Sequence, residues 1–281
     1  MREPAVSGRF YPDEPTELEE TIRQCYGHRL GVSDHHHPAL GRLAGMIVPH
    51  AGYIFSGPVA SWGYRRLAEE KPLPKRLLML GPKHTPYGAL AALSDEDAWL
   101  TPLGSLETDE PLRAALEETG CFARDNAAHE LEHSLEVQIP FVQHAMKKHL
   151  PRIVPLALAF AEFEQCARWG KAIAGVLARP EFTDTVCIVS SDFSHDTPRD
   201  DAYRLDGVAL DVIASLDAKA FHELVVGEDR SICGVIPITV FLCAMAGRKV
   251  RATRLAYATS MDVMEHPRGV GYASVIFEGT V

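Results

Sequence analysis

Three histidines stand directly after apolar runs that end in a turn. One run leads into Val48-Pro49-His50-Ala51-Gly52-Tyr53, a second into Gly81-Pro82-Lys83-His84, and a third into Ser190-Ser191-Asp192-Phe193-Ser194-His195. Any one of them alone reads first as a loop histidine held by a hydrogen bond. With 13 histidines in 281 residues, three at the same end of successive buried strands is a placement that chance does not favour. In open α/β sheets the carboxyl ends of the strands and the helix starts beside them surround one crevice. Neutral imidazole nitrogens gathered there are what a divalent transition metal requires of its ligands. An imidazole in such a crevice also suits proton transfer, because its free pKa lies near working pH.

Two imidazoles rarely hold such an ion alone, so a third ligand has to come from Asp, Glu, Cys or another His. Cys233 stands in Ser231-Ile232-Cys233-Gly234-Val235-Ile236-Pro237-Ile238, just before an apolar helix, where the dipole and free N–H groups favour thiolate. The plainer reading makes it a buried spacer, like Cys187 and Cys243 in their apolar runs. In His129-Glu130-Leu131-Glu132-His133-Ser134-Leu135-Glu136 the charges suit a solvated first helical turn, and spacing alone leaves His133 open. Tyr53 and Tyr257 either line the crevice or are core tyrosines. The stretch Ser33-Asp34-His35-His36-His37-Pro38 reads as a surface loop whose His triplet binds metal adventitiously at most.

Positioning these residues requires buried strands. Apolar runs at residues 43–48, 76–80, 153–159, 186–190, 251–259 and 272–277 read as strands, and segments of helical period lie between them. That alternation predicts an α/β protein of three layers, α/β/α, around a mostly parallel central sheet covered on both faces. Helices are expected at residues 17–26, at 58–69 after a Gly57-Pro58 start, and at 111–119 with a left-handed stop at Gly120. Leu135, Ile139, Val142 and Met146 share one helical face, with Pro140 forcing a kink or a late start. Further helices are expected at 162–177, 202–215 and 236–246. No Gly/Ser linker or long charge run divides the chain, which predicts a single domain over residues 1–281.

At 46% hydrophobic and 23% charged, the composition supports a sizeable core and excludes disorder and fibrous repeats. Asp and Glu number 38 against 28 Lys and Arg, a formal charge of −10, so nucleic acid is not an expected partner. No apolar run approaches the roughly 18 to 20 residues that span a bilayer, and residues 1–9 lack the layout of a signal peptide. A soluble cytoplasmic protein without membrane contact is expected. The six cysteines show no paired spacing and read as reduced thiols.

Together with Pro4-Ala5-Val6-Ser7-Gly8-Arg9-Phe10-Tyr11-Pro12, Glu132-His133-Ser134-Leu135-Glu136 and Cys233-Gly234, the histidine stretches closely resemble the Memo-like family. That family includes the AmmeMemoRadiSam system protein B of bacteria and archaea. In fold it resembles the class III extradiol ring-cleaving dioxygenases, which hold non-haem Fe(II) with two histidines and a glutamate. The resemblance implies His50 and His84 as imidazole ligands and Cys233 in the glutamate's place. It implies His195 as the acid/base histidine with Asp192 beside it, and His133 as a second pocket histidine. By that resemblance Fe(II) heads the order of metals, and because thiolate is softer than carboxylate, copper and zinc stand behind it as alternatives.

The activity so implied is that of a metal-binding, dioxygenase-like oxidoreductase, dependent on non-haem iron or copper, acting on a small molecule of unspecified identity. The alternative is a non-catalytic metal- or peptide-binding protein that acts in signalling or redox balance with a radical-SAM system protein. An oligomer is compatible with either. Phosphopeptide binding ranks lower, because the motifs show no basic cluster beyond Lys83 and Arg199 to clamp a phosphate. A zinc hydrolase ranks lower still: residues 129–133 spell His-Glu-x-x-His, but the stretch precedes the helix expected from near Leu135 instead of lying on one.

Overall fold

Successive side chains of a strand point to opposite faces, so a strand that is apolar throughout must be covered on both sides. The computed structural model describes residues 1–279. In chain order the elements are α1 (Pro15–Gly27), β1 (Arg42–Val48), α2 (Tyr53–Glu69), β2 (Arg76–Pro82), β3 (Ala91–Leu93), β4 (Ala98–Thr101), β5 (Gly104–Glu107), α3 (Glu110–Glu117), β6 (Ala123–Arg124), α4 (Gln138–Ala145), β7 (Arg152–Leu158), α5 (Phe163–Leu177), β8 (Thr185–Ser190), α6 (Arg199–Ala214), α7 (Ala218–Gly227), α8 (Val235–Met245), β9 (Val250–Thr259), α9 (Ser260–Val263) and β10 (Gly271–Gly279).

Eight strands form one sheet in the order β6-β3-β7-β2-β8-β1-β10-β9. The central four, β7, β2, β8 and β1, are parallel. Antiparallel strands flank them, β3 on β7 at one side and β10 then β9 on β1 at the other. Met46, Val48, Leu77, Met79 and Ile188 pack on one face against α1, α2 and α4. Their neighbours Ile47, Leu78, Leu80 and Val189 pack on the other face against α3, α5, α6, α7 and α8. The expected α/β/α layering around a mostly parallel sheet is thus the observed one.

Some boundaries differ from expectation. Helix α2 begins at Tyr53 and carries Pro58 inside it. Its first turn is already closed before the proline, with the Phe55 and Ser56 N–H groups on the Gly52 carbonyl and the Ser56 hydroxyl on the Ala51 carbonyl. The carbonyl that Pro58 leaves without its helical donor belongs to Ile54, which is 67% exposed. Helix α4 starts late, at Gln138, and places Pro140 in its first turn as expected. Helix α3 ends before Gly120, whose φ is +68°. Strands β3 to β6 and helix α7 were not expected; two to four residues show too little periodicity to be read, although Asp217 caps α7 through the Ala220 N–H.

The segment ahead of α1 is fixed by a buried ion pair. Glu136 is fully buried and accepts from Arg2 NH1 at 2.7 Å, the Ala5 and Val6 N–H groups at 2.8 and 3.0 Å, and the Tyr11 hydroxyl at 2.7 Å. Arg2 lies over the Trp99 ring at 4.2 Å and also donates to the carbonyls of His129 and Glu132. All six cysteines are free thiols. Among the described residues no helix is long and apolar enough to cross a membrane.

His129, edge-on to Trp99 at 5.5 Å, donates Nε2–H to the Ala92 carbonyl at 2.9 Å. Burial holds its pKa down to about 4. The unfolded chain therefore takes up a proton near pH 6.5 that the folded protein refuses until about pH 4. Its contribution to stability is complete above pH 6.5 and is lost as pH falls through that window, about 3 kcal/mol in all. His129→Gln should flatten the stability profile between pH 6.5 and 4, measured by urea unfolding; an unchanged slope would show that His129 takes its proton with the fold intact.

Candidate metal centre

The parallel strands bring three of the expected residues to one end of the sheet. His50 lies two residues past β1, His84 two past β2, and Asp192 two past β8. Cys233 arrives from the far side, two residues before α8. Its approach depends on Gly234, where a Cβ would lie 2.3 Å from the Cβ of Ser191. The Gly234 N–H donates to the Ser191 hydroxyl at 3.1 Å.

One ligand atom from each of His50, His84 and Cys233 lies within 4.8 Å of the other two. The hydrogen bonds around His50 fix its tautomer. Ser190 donates its hydroxyl proton to the Ser134 carbonyl at 2.7 Å and accepts from Gln138 Nε2 at 2.8 Å. Ser190 Oγ can therefore only accept from His50, so Nδ1 carries the proton across their 2.8 Å contact. This leaves the Nε2 lone pair facing Cys233 Sγ at 3.3 Å. Gln138 is itself oriented, with Nε2 on the Pro49 carbonyl and Oε1 taking the Tyr64 hydroxyl proton. Burial, with His133, His84 and His195 adding to it, holds His50 well below the usual imidazole range, so it is neutral.

His84 is held in the same way by Glu132. The carboxylate accepts Nδ1–H at 2.9 Å and the His84 backbone N–H at 2.5 Å, and the Ser134 N–H at 2.9 Å. Burial pushes Glu132 upward, but the hydrogen bonds from His84 and Ser134 outweigh it and bring the carboxyl down to about 2. His84 keeps Nε2 for a ligand, and its side chain is 34% exposed on the open flank. Partners of this kind orient ligating imidazoles, and their loss typically lowers metal affinity about 10- to 100-fold. Glu132→Gln should fall in that range in a chelator competition, with the circular dichroism spectrum unchanged; full affinity would mean that His84 needs no such support.

His133 stacks on His84 at 4.7 Å and meets His50 edge-on at 5.3 Å, with Phe10 against its other side at 4.7 Å. Burial lowers its pKa to about 4. It also forms a second group with His84 and Glu132, their ligand atoms again within 4.8 Å of one another. His195 is half-buried and is clasped by Ser231, whose hydroxyl accepts its N–H at 2.8 Å and whose carbonyl accepts Nδ1–H at 2.7 Å. Its Nε2 makes no hydrogen bond among the described residues. Asp192 is buried and accepts the His50 N–H at 2.8 Å; burial raises its pKa to about 6 against the pull of that bond and of His195.

One expectation needs correcting. The helix start was expected to favour thiolate at Cys233, but the packing around the sulfur, with Asp192 adding to it, pushes the thiol up. The sulfur instead accepts the Asp192 N–H at 3.2 Å. Tyr53 is a core tyrosine, 2% exposed, with its hydroxyl on the Val137 carbonyl. Tyr257 donates to buried Asp206 at 2.6 Å. The triplet at 35–37 is spread over separate partners: His35 on Trp62, His36 on Glu69 and His37 beside Glu278. Ser190, Gln138 and Ser231 carry site functions that the sequence reading missed. Ser190 lies within a motif that was read, whereas no local signal marks Gln138.

A cavity of about 770 Å³ lined by residues such as Leu73, Arg76, Asp109, His149 and Arg152 lies at the amino ends of β2 and β7 and contains none of these groups. Chemistry, not volume, marks the candidate site.

Known proteins match this chain along nearly its whole length. The family model described as "Memo-like protein" matches residues 2–276. A MEMO1 family protein of Methanopyrus kandleri is 39% identical over 281 residues, 98% of each chain. Another, from Methanothermobacter thermautotrophicus, is 37% identical over 97% of this chain and 99% of its own. The crystal structure of an uncharacterized protein from Escherichia coli K12 superposes with a TM-score of 0.57 at 15% identity, over 84% of this chain and 99% of its own, a likeness of fold alone.

Proposed function

The chain belongs to the Memo-like family, and on that footing we propose that His50, His84 and Cys233 hold a divalent transition metal in a dioxygenase-like oxidoreductase that acts on a small molecule. Fe(II) is the first candidate, with copper and zinc after it. The observation that carries this reading is the convergence of three donor atoms, within 4.8 Å of one another, from residues as far apart in the chain as 50 and 233.

The donor set fits such an ion. Both imidazoles are committed through Nδ1, to Ser190 and to Glu132, which leaves Nε2 for coordination. Two histidines and one donor that is anionic once ligated form the type of set that leaves positions open for substrate. When bound, the metal would supply Lewis-acid and redox chemistry in the crevice. The protein's own groups do the rest. His195 keeps Nε2 for taking up or giving back a proton, because Nδ1–H is held by Ser231. Asp192 fixes the His50 backbone, and His133 with Phe10 walls the crevice.

Anaerobic purification, metal quantification and O₂ uptake with reductants and catechol-like compounds test the reading. Stoichiometric iron or copper with turnover is the expected result. Metal without turnover would favour the non-catalytic reading, in which the protein serves radical-SAM system partners in signalling or redox balance. No metal under any loading condition would sink both.

A further inference from the structure

The sheet ends in β9 on the side away from β6, and that edge is open. Strand β9 is ten residues long, with α2 packed on one face, α6 on the other and β10 along one edge. No backbone N–H or carbonyl of residues 251–258 bonds to anything outside the β9–β10 ladder among the described residues. An antiparallel strand directs half of its backbone groups at its neighbour, so the other half face outward here. The opposite end of the sheet is guarded by contrast. Strand β6 spans two residues, and its Arg124 is tied to Asp95, Glu110 and Glu117.

The open edge carries charge of one sign. Residues 230–261 contain no Asp or Glu, in a chain whose formal charge is −10. Arg251 and Arg254 are exposed, and their guanidinium groups make no hydrogen bond or ion pair among the described residues. They stand three apart in regular register, ahead of the bulge at Leu255, so they point to opposite faces. Arg254 lines a groove of about 260 Å³ beside the edge, together with Tyr203 and Gly207 of α6. Arg251 is opposite Glu278 in register and shares its face, but that buried carboxylate is held by Arg66 Nε at 2.8 Å. Other carboxylates near the groove are engaged or make no pair with Arg254. Asp206 is buried on Ser194 and Tyr257, and Asp262 holds Arg199 and Tyr203. Asp200 and Asp211 lie about one turn to either side along α6, exposed, and neither pairs with Arg254.

We propose that the β9 edge takes up an extended acidic segment of a partner protein as an added strand, with two carboxylates three residues apart meeting Arg251 on one face and Arg254 on the other. Backbone hydrogen bonds to an open edge supply affinity, and side chains alternating between the faces supply specificity. A second copy of this chain is the poorer occupant. Two β9 edges paired about a two-fold axis would bring Arg251 and Arg254 of one copy against those of the other, with no carboxylate between them. The site is separate from the metal centre and does not depend on its reading.

The probe is the acetylated, amidated peptide Thr-Val-Glu-Val-Thr-Glu-Val-Thr, titrated by calorimetry into the full-length protein. It should bind at least about tenfold tighter than its glutamine counterpart, the scale of a lost charge-assisted hydrogen bond. Saturation should slow amide hydrogen exchange in β9, and methylating the backbone nitrogens along one edge of the peptide should abolish binding. Arg251→Gln and Arg254→Gln should each weaken the acidic peptide about tenfold and leave the glutamine peptide unchanged. Gly207→Gln, at a position where a Cβ meets nothing within 4 Å, should fill the groove and weaken both peptides without disturbing the fold. Absence of binding would reduce the two arginines to guards against self-pairing and overturn the proposal. Equal binding of the two peptides, acidic binding unchanged in Arg254→Gln, or a dimer in light scattering whose formation protects the β9 amides would overturn it as well.

Discussion

Replacing Cys233 by serine is expected to lower metal affinity at least about a hundredfold, beyond the typical loss of an outer-shell partner, while the fold stays intact. The two side chains are close in size, so the contacts with His50 Nε2 and with the Asp192 backbone are disturbed little. What changes is the donor, since a serine hydroxyl does not ionise in the range where a thiol can supply a soft anionic ligand. His84→Ala should lose a comparable amount, and it removes a side chain that is partly exposed. Cys121→Ser serves as a control, a free thiol outside the cluster. Chelator competition with Fe(II), Co(II) and Zn(II) gives the affinities, and circular dichroism checks the fold. If Cys233→Ser binds as tightly as the parent, the third ligand has been misassigned.

Glu136→Ala carries the largest expected loss of stability, about 3–5 kcal/mol, because it strands a buried guanidinium. Arg2 has a side chain only 5% exposed, and Glu136 is its sole carboxylate partner among the described residues. The same substitution removes the acceptor of the Ala5 and Val6 N–H groups and the Tyr11 hydroxyl. A fall in Tm of roughly 10 °C follows for a chain of this size. Glu136→Gln keeps the shape and should lose less. A loss below about 1 kcal/mol from Glu136→Ala would mean that water reaches Arg2 once the carboxylate is gone.

The central strands were legible because strands buried on both faces are written as unbroken apolar runs, and His50, His84 and Asp192 could be read as following them. Cys233 was legible through family resemblance rather than spacing, since its nearness to His50 is created by the packing of α8 against β8. The tautomer of His50 was not legible at all. It depends on Ser190, Ser134 and Gln138, whose contacts join three separate stretches of chain. Pro58 misled for a physical reason: a proline signals a helix start only when nothing upstream has already closed a turn.

The crevice draws on loops after β1, β2 and β8 and on the approach to α8, so it does not exist until the sheet and both of its helical layers have assembled. An ion seated there would bind only the finished molecule and, by mass action, would raise the unfolding temperature of the whole sheet rather than of one loop. Metal retention is then a gauge of complete folding: a partly assembled chain should pass through a chelating column bare, even when its secondary structure is largely formed.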